Sequence, residues 1–250
     1  MPNLRFAAPK ERRVAVITGG ARGIGRACAL RLAEEGRDIV IADLDEIGAE
    51  VVSEVEALGQ QALFLKVDVT DEAAVQAMTA KTVERFDRLD ILVCCAGLLG
   101  IEAPFLEQSA AQFDKIMKVN VYGVYYAHQA AIPHMLERGW GRCVTITSGA
   151  RHAATLKLPY GVSKGAVYSL VGALGNAYPR QGILINGVEP GRALTNMVVP
   201  YFSEEHLANP GTPIGRYSDA EEVAEVVEFL CSERNTYTTG SVWSVKGGTG

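Results

Sequence analysis

The sequence predicts an α/β protein with a doubly wound parallel sheet, and three observations support that prediction. Short apolar segments alternate with longer segments whose apolar residues recur at helical spacing. The short segments are apolar nearly throughout, which is typical of parallel strands covered by helices on both faces. The first of them leads into the glycine-rich stretch "TGGARGIG", from Thr18 to Gly25. Repeated strand–helix units of this kind build a doubly wound fold.

Four strands are predicted in the first part of the chain because each segment is short, apolar and rich in β-branched residues. They are "RVAVIT" (13–18), "DIVIAD" (38–43), "ALFLKVDV" (62–69) and "DILVCCAG" (90–97). A helix is predicted after each of the first three strands. The first begins at the glycines and ends before Gly36, and the others are "EIGAEVVSEVEALG" (46–59) and "DEAAVQAMTAKTVERF" (71–86).

The second part of the chain continues the alternation. Helices are predicted over residues 109–138, 160–178 and 218–230. Ser109 with Gln112, and Ser218 with Glu221, form the capping pattern of a helix start. Strands are predicted at "GRCVTITS" (141–148), "GILINGV" (182–188) and "SVWSV" (241–245).

The segment from Gly191 to Tyr217 is the one long stretch of the sequence without a periodic pattern. A loop of that length inside a compact domain is usually functional, for example as a lid over a ligand. We find no linker composition and no internal repeat beyond the strand–helix alternation. We therefore expect residues 14–250 to form a single domain that follows an N-terminal tail of residues 1–13.

The composition limits the classes of partner. The 250 residues are 48% hydrophobic and 21% charged, which is the balance of a soluble globular protein. A net charge of -5 without a basic stripe argues against nucleic acid, and no apolar run approaches the roughly 20 residues that span a bilayer. The N-terminal residues lack the apolar segment of a signal peptide. We therefore expect a cytoplasmic protein with free thiols at Cys28, Cys94, Cys95, Cys143 and Cys231.

The glycine-rich stretch predicts a phosphate site. Gly19, Gly23 and Gly25 lie between a predicted strand and a predicted helix, where glycine permits a tight turn and the close approach of a ligand. The helix that follows offers free N–H groups and the positive end of its dipole. A plain glycine-rich turn without a ligand is the alternative interpretation.

Asp43 favours NAD over NADP. It ends the second predicted strand, about 20 residues after Gly23, where a carboxylate can bind the adenosine ribose 2′-hydroxyl and repel a 2′-phosphate. Arg22 weakly favours the opposite preference, because it can pair with a phosphate. Asp68, near the end of the third predicted strand, can accept a hydrogen bond from the adenine amino group. Turn formation or helix capping is the alternative role of both aspartates.

Tyr160 and Lys164 form the candidate catalytic pair. They are four residues apart on a predicted helix and therefore share one face. A phenol titrates near pH ~10, and a nearby ammonium group lowers that pKa. Tyr160 can then exchange a proton with a carbonyl or alcohol oxygen. A chance pairing on the helix is the alternative.

Two further polar residues are candidates for the same site. Ser148 lies at the carboxyl end of the fifth predicted strand, where a hydroxyl can polarise a substrate oxygen. Asn120 lies inside a predicted helix, where asparagine is mildly disfavoured. We expect it to have a polar role, such as holding a water near Lys164. A bond to a neighbouring backbone carbonyl is the alternative.

Taken together, these residues resemble the short-chain dehydrogenase/reductase family in its form of about 250 residues. The resemblance extends from about Val14 to Gly248. Its glycine motif alone is moderately specific, whereas the ordered set of motifs is highly specific. In chain order the motifs are TGGARGIG, Asp43, Asp68-Val69, Asn120, Ser148, Tyr160-x-x-x-Lys164 and "PGRALT" at 190–195.

The resemblance implies a Rossmann-like domain with a seven-stranded sheet, an oxidoreductase activity and a catalytic tetrad. Tyr160 is the implied general acid/base, and Ser148 orients the substrate. Lys164 is implied to bind the nicotinamide ribose and to tune Tyr160, while Asn120 supports a water-linked proton relay. Family members are commonly homotetramers, less often dimers, with the two longest helices at one interface. The expected cofactor contacts are Gly19, Arg22, Gly23, Ile24, Gly25, Asp43, Asp68, Val69, Cys95, Gly97, Tyr160, Lys164, Pro190, Gly191, Ala193 and Thr195.

The sequence departs from the family pattern at three places. Cys94 and Cys95 stand where the family usually has two asparagines, and a thiol is a weak donor and acceptor. Lys246 stands where the family often has aspartate before two glycines. The spacing from Ser148 to Tyr160 is one residue shorter than is common, which makes Thr147 an alternative to Ser148.

We therefore expect an NAD-dependent dehydrogenase that acts on a secondary alcohol or its ketone. Three alternatives are a catalytically inactive NAD-binding sensor or scaffold, an NADP-dependent ketone or 3-oxoacyl reductase of the same family, and a dehydratase or epimerase of a nucleotide sugar. Arg151 and His152 follow Ser148, and we expect them to be a solvated pair in a loop. The expected substrate pocket is mainly apolar and lined by Leu98, Leu99, Leu156, Leu158, Leu194, Met197 and Val198.

Overall fold

Seven strands form one sheet in the computed structural model, which describes residues 11–152, 154–195, 207 and 211–249. The strands are β1 (Val14–Thr18), β2 (Asp38–Asp43), β3 (Ala62–Lys66), β4 (Ile91–Cys94), β5 (Gly141–Ile146), β6 (Ile183–Pro190) and β7 (Val242–Val245). Their order across the sheet is β3-β2-β1-β4-β5-β6-β7, and all neighbouring strands run parallel. The parallel sheet predicted from the apolar strands is confirmed.

Helices cover both faces of this sheet. They are α1 (Gly23–Glu34), α2 (Gly48–Ala57), α3 (Glu72–Phe86), α4 (Ala110–Met117), α5 (Gly123–Arg138), α6 (Leu158–Ala177) and α7 (Ala220–Cys231). Alternate strand residues face opposite sides. Ala15 and Ile17 of β1 pack with α1, α2 and α7, whereas Val14 and Val16 pack with α3, α5 and α6. Within the described residues, no helix is long and apolar enough to cross a membrane.

The winding of the chain places a crevice above β1 and β4. From β1 the chain moves outward to β3, and it then returns to begin again at β4 on the other side of β1. The connections after these two strands therefore leave in opposite directions. Ligands of doubly wound sheets bind at this reversal point, above the carboxyl ends of the strands.

Three strands end earlier than their apolar runs predicted. The runs continue to Val69, Gly97 and Ser148, but β3 ends at Lys66, β4 at Cys94 and β5 at Ile146. The residues beyond the observed ends line the crevice. The apolar pattern therefore extends past the sheet and into the walls of the ligand site.

The long helix predicted over residues 109–138 is interrupted at a candidate site residue. A π-helical turn, Lys118–Tyr122, separates α4 from α5 and contains Asn120. Such turns inside α-helices are frequent at functional sites. Ser109 caps α4 as predicted by accepting a bond from the Gln112 backbone, but the Gln112 side chain donates to the carbonyl of Ile101. Only half of the predicted capping box is therefore formed.

The last helix begins one residue later than predicted. Asp219, not Ser218, is the N-cap of α7, and its capping-box partner is Glu222 rather than Glu221. Ser218 forms a parallel bridge with Ala193, and its backbone N–H and carbonyl are both bonded to the chain around that residue. Tertiary pairing therefore moves the cap to the next residue.

Candidate active site

A cleft of about 1200 Å³ opens above the carboxyl ends of the strands. All the residues that the sequence predicts to contact a cofactor line this cleft, and Ser148 also lines it. Drug-sized ligands occupy pockets of roughly 300–1,000 Å³, so the cleft suits a ligand as large as a dinucleotide. Within the described residues, no group of acidic, histidine and cysteine side chains is arranged to hold a metal ion.

The glycine-rich loop passes so close to its neighbours that larger residues do not fit. Gly19 has a φ of +67°, and a Cβ added there would lie 2.5 Å from the backbone nitrogen of Ala96. A Cβ on Gly25 would lie 2.0 Å from the carbonyl oxygen of Gly19. No side chain of the described chain caps the start of α1. The loop and the first N–H groups of α1 thus fit the diphosphate of a dinucleotide.

Asp43 is held at the rim of the cleft by two backbone groups. Its carboxylate oxygens accept bonds of 3.0 Å from the N–H groups of Ala21 and Asp45. Arg22 donates through Nε and Nη2 to the carboxylate of Asp45, at 2.9 and 2.8 Å. The pKa of Asp45 is lowered by a backbone bond from Ile47 and by this arginine. At this rim Arg22 is therefore paired with an acid, and the Asp43 carboxylate faces the cleft.

Asp68 forms a local turn after β3. Its carboxylate accepts bonds from the backbone and the hydroxyl of Thr70, at 2.9 and 2.8 Å. The next helix is capped by Asp71, which accepts bonds from the N–H groups of Ala73 and Ala74. Asp68 therefore lines the cleft without capping α3.

Tyr160 and Lys164 lie one turn apart on α6 and both line the cleft. The Lys164 ammonium lies 5.6 Å from the centre of the Tyr160 ring and donates to the carbonyl of Ile146 at 2.8 Å. Burial lowers the pKa of Lys164 to about 8. The lysine thus lies below the phenol, anchored to the end of β5.

The pKa of Tyr160 moves in the opposite direction from the one that the sequence predicted. Burial raises it above its usual value, although the nearby Ser148 hydroxyl acts to lower it. The prediction that a neighbouring ammonium dominates was wrong for this chain, because the protein around the phenol disfavours the phenolate. Burial therefore favours the neutral phenol over the phenolate.

Ser148, rather than Thr147, places its hydroxyl beside Tyr160. The Thr147 hydroxyl donates to the carbonyl of Val188 in β6, at 3.1 Å. The Ser148 oxygen accepts a bond of 3.2 Å from the Ala150 backbone, and its hydroxyl is near enough to the Tyr160 phenol to act on the pKa of that group. The short spacing in the sequence is accommodated by the tight turn that follows β5.

Asn120 is fully buried and does not line the cleft. Its Oδ1 accepts a bond of 2.7 Å from the N–H of Leu98, and its Nδ2 donates to the Leu98 carbonyl at 3.0 Å. Nδ2 also donates to the hydroxyl of Ser163 at 2.9 Å, which in turn donates to the carbonyl of Tyr160. Asn120 therefore joins the loop after β4 to the helix that carries the tyrosine.

Ser163 is a site residue that the sequence analysis missed. It is fully buried between Asn120 and the backbone of Tyr160. A signal was available, since a serine three residues after Tyr160 shares its side of the helix. Nothing in the sequence indicates the long-range bond to Asn120.

Cys94, the last residue of β4, and Cys95, the next residue, place thiols where the family usually has the side-chain amides of two asparagines. Burial raises the pKa of Cys94 to about 12, and its thiol contacts the hydroxyls of Thr145 and Thr18. The Cys95 side chain packs against the core cluster that contains Cys28 of α1, and the neighbouring Cys95, together with burial, raises the pKa of the Cys28 thiol. These sulfur contacts lie within the core, while the Cys95 N–H pairs with β1 by donating to Thr18 at 3.0 Å.

Only some of the apolar residues that were expected to line the substrate pocket line the cleft. Leu98 and Leu99 line the cleft, and Ile101 joins them. Of the remaining leucines, Leu156, Leu158 and Leu194 are not among the described lining residues. Residues 196–206 and 208–210, with Met197 and Val198, lie outside the described residues, so the lid expected over residues 191–217 stays a prediction.

Comparison with known proteins identifies the family. A family model described as enoyl-(acyl carrier protein) reductase matches residues 19–250. The cis-4-hydroxycyclohexanecarboxylate dehydrogenase of Sinomonas cyclohexanicum is 35% identical, with 94% of this chain and 96% of the relative covered. The chain belongs to the short-chain dehydrogenase/reductase family. It is therefore an oxidoreductase of the class whose members act on alcohols and ketones.

Two further members support this family assignment. The cyclohexanol dehydrogenase of Rhodococcus sp. (strain TK6) is 34% identical, with 96% of this chain and 97% of the relative covered. The crystal structure of carveol dehydrogenase from Mycobacterium avium in complex with NAD superposes with a TM-score of 0.90. It is 27% identical, and 97% of this chain and 99% of that chain are covered. The Rossmann-like sheet of this short-chain dehydrogenase/reductase is thus shared along its length.

Proposed function

We propose that this chain is an NAD-dependent dehydrogenase that oxidises a secondary alcohol or, in reverse, reduces its ketone. The observation that carries the proposal is that Tyr160, Ser148 and Lys164 line one dinucleotide-sized cleft, with the Lys164 ammonium 5.6 Å from the centre of the Tyr160 ring. A bound nicotinamide supplies or accepts the hydride. The protein has to move one proton and to hold the substrate oxygen.

Tyr160 is proposed as the proton donor and acceptor. In the reductive direction the protonated phenol donates its proton to the substrate oxygen. Ser148 orients the same oxygen through its hydroxyl. Lys164 is proposed to hold the nicotinamide ribose, and Asn120 fixes the loop after β4 that closes the site near Gly97.

NAD is the proposed cofactor, rather than NADP. Asp43 lines the cleft, where its carboxylate can accept a hydrogen bond from the ribose 2′-hydroxyl and repels a 2′-phosphate. Arg22 is already paired with Asp45. The NAD complex of the related carveol dehydrogenase is consistent with this preference.

A cyclic secondary alcohol or ketone is the proposed substrate class. Two relatives bear names that specify a hydroxylated cyclohexane ring. The apolar side chains of Leu98, Leu99 and Ile101 lie where the cleft extends beyond the glycine-rich loop, and apolar walls suit such a ring. Cyclohexanol is therefore the first probe.

The proposal is tested by following reduced nicotinamide during turnover. Wild-type protein is given NAD or NADP with cyclohexanol, an open-chain secondary alcohol, a polyol and a hydroxyacyl thioester. Tyr160→Phe should lower kcat by about 10²- to 10⁴-fold because the proton donor is lost, while NADH binding measured by fluorescence is retained. Tyr178→Phe makes the same chemical change at the end of α6, outside the cleft, and should leave kcat unchanged.

Each other outcome favours a stated alternative. Turnover that survives in Tyr160→Phe contradicts the acid/base role. Turnover only with NADP favours a ketone or 3-oxoacyl reductase that uses that cofactor. Binding of NADH without turnover of any alcohol or ketone favours a sensor or scaffold, for which the Cys94-Cys95 departure is the supporting observation.

A further inference from the structure

A buried carboxylate lies near the end of β6, directly before two of the expected cofactor contacts. Glu189 is 0% exposed and precedes Pro190 and Gly191. One of its oxygens accepts a bond of 2.5 Å from Nε of Arg151, and the other lies 2.5 Å from the Lys246 ammonium. A buried charge is costly unless it is paired and hydrogen-bonded. Glu189 is therefore fixed between two cations.

These contacts join three chain segments at the carboxyl edge of the sheet. Arg151 closes the turn after β5, where its N–H donates to the carbonyl of Ser148 at 3.3 Å. Lys246 directly follows β7 and packs on Gly191, where an added Cβ would lie 2.8 Å from the lysine Cα. Glu189 thus connects the turn that carries Ser148 to the end of β6 and to the end of β7.

The three charged side chains lie outside the lining of the cleft. None of Glu189, Arg151 and Lys246 is among the residues that line the cleft. The Arg151 guanidinium stacks on the ring of Tyr168, 4.0 Å from its centre. The expectation that Arg151 is solvated in a loop was therefore wrong. Burial acts to raise the pKa of Glu189, but the bonds from Lys246 and Arg151 outweigh it and lower that pKa.

The same network accounts for the unusual lysine near the C-terminus. The family often has aspartate where this chain has Lys246, and an acid at this position beside Glu189 would bring two carboxylates together. Lys246 instead supplies a positive charge to the buried Glu189. The positive charge of Lys246, which departs from the family pattern, is therefore balanced by the acid Glu189 on the neighbouring strand β6.

We propose that Glu189 is a positioning residue that, through Arg151, fixes the Ser148 turn relative to Pro190 and Gly191. The inference rests on the proposed function, in which Ser148 holds the substrate oxygen beside the cofactor. Ser148 and Pro190 belong to different strand ends, so their separation depends on what joins those ends. A shift of about 1 Å in a reacting geometry can cost about 10²-fold in rate.

The test compares Glu189→Gln with a matched change at the opposite edge of the sheet. Glutamine keeps the shape of Glu189 but removes the charge that holds Arg151 and Lys246. Asp90 is also 0% exposed and is bonded to two arginines, Arg13 and Arg88. Asp90→Asn therefore removes an equally buried, doubly paired carboxylate that is remote from the cleft.

The kinetic expectation is a fall in kcat without a loss of cofactor binding. With cyclohexanol and NAD, Glu189→Gln should lower kcat about tenfold or more, while the KM for NAD stays within about twofold. Arg151→Leu should reproduce this fall, and Lys246→Met should have a smaller effect because the Arg151–Glu189 bond remains. Asp90→Asn should lower the melting temperature and leave kcat unchanged.

A second measurement does not depend on turnover. Amide hydrogen exchange of the ligand-free protein reports the N–H groups of Arg151 and His152, which bond to Ser148 and Gly149. Exchange at these amides should be faster in Glu189→Gln than in wild type, and unchanged in Asp90→Asn. If wild type turns over no alcohol, the proposed function fails, and this measurement alone decides the positioning role.

Three results would overturn the inference. The first is unchanged exchange at the Ser148 turn in Glu189→Gln, which would mean that the carboxylate does not hold the turn. The second is a kcat for Glu189→Gln within twofold of wild type, and the third is a fall in kcat equal to that of Asp90→Asn. Either kinetic result would assign Glu189 to stability alone.

Discussion

Asp43 is the residue on which the choice between the two nicotinamide cofactors depends. We expect Asp43→Asn to lower the ratio of kcat/KM for NAD to that for NADP by about 10- to 100-fold. A hydrogen bond to a charged group contributes about 1.5–3 kcal/mol, and each 1.4 kcal/mol corresponds to about a factor of ten. The measurement is initial rates with both cofactors at a fixed alcohol concentration.

Asp68→Asn is the control for this change. Asp68 lines the same cleft but belongs to the turn after β3, where its carboxylate bonds to Thr70. Asp68→Asn should change kcat/KM for NAD and for NADP by the same factor, since both cofactors contain the adenine that Asp68 is expected to contact. An unchanged ratio in Asp43→Asn would mean that the Asp43 carboxylate does not set the cofactor preference.

At the level of elements, the start of α7 shows a difference between the cap that the local sequence predicts, Ser218, and the observed cap, Asp219. Asp219→Ala should lower the free energy of unfolding by about 1 kcal/mol, because it removes the oxygen that caps the helix. Ser218→Ala should change it by less than about 0.5 kcal/mol. The Ser218 hydroxyl is buried without a hydrogen-bond partner among the described residues. Thermal or urea unfolding measures both variants.

A larger loss in Ser218→Ala than in Asp219→Ala would contradict the observed cap and restore the one that the sequence predicted. Both residues satisfy the local pattern, since a glutamate stands three positions after each. The structure selects Asp219 because Ser218 is paired with Ala193 from a segment that is distant in the sequence. Local spacing cannot contain that information.

The same limit explains which parts of the site were predictable. The seven strands follow from apolar runs, and the cleft residues follow from their places after those runs, so both could be predicted locally. The direction in which the pKa of Tyr160 shifts could not be predicted locally, because the burial that raises it depends on how the whole site is packed. The bonds of Asn120 to Leu98, and of Glu189 to Arg151, join residues far apart in sequence. They become visible only when the strand ends are brought together.

For the whole molecule, exposed aromatic residues on the long helices indicate an interface. Tyr122 and Tyr125 are 52% and 48% exposed, and the rings of both contact that of Tyr126. Val162 and Tyr168 of α6 are also exposed, and α6 packs against the π-helical turn that contains Tyr122. Monomeric proteins rarely expose large apolar patches. We propose that these helices pair in a homotetramer, as the family resemblance implies.

Tyr125→Asp should therefore reduce the assembly from four chains to two, because a charge is buried at one of the two kinds of interface that a tetramer requires. Size-exclusion chromatography with light scattering gives the mass of each species. Leu58→Asp is the control, since Leu58 is similarly exposed at the end of α2, away from α5 and α6. It should leave the tetramer intact. A wild-type protein that elutes with the mass of one chain would contradict the proposed tetramer. The outer face of α6, the helix that carries Tyr160, would then be exposed to solvent.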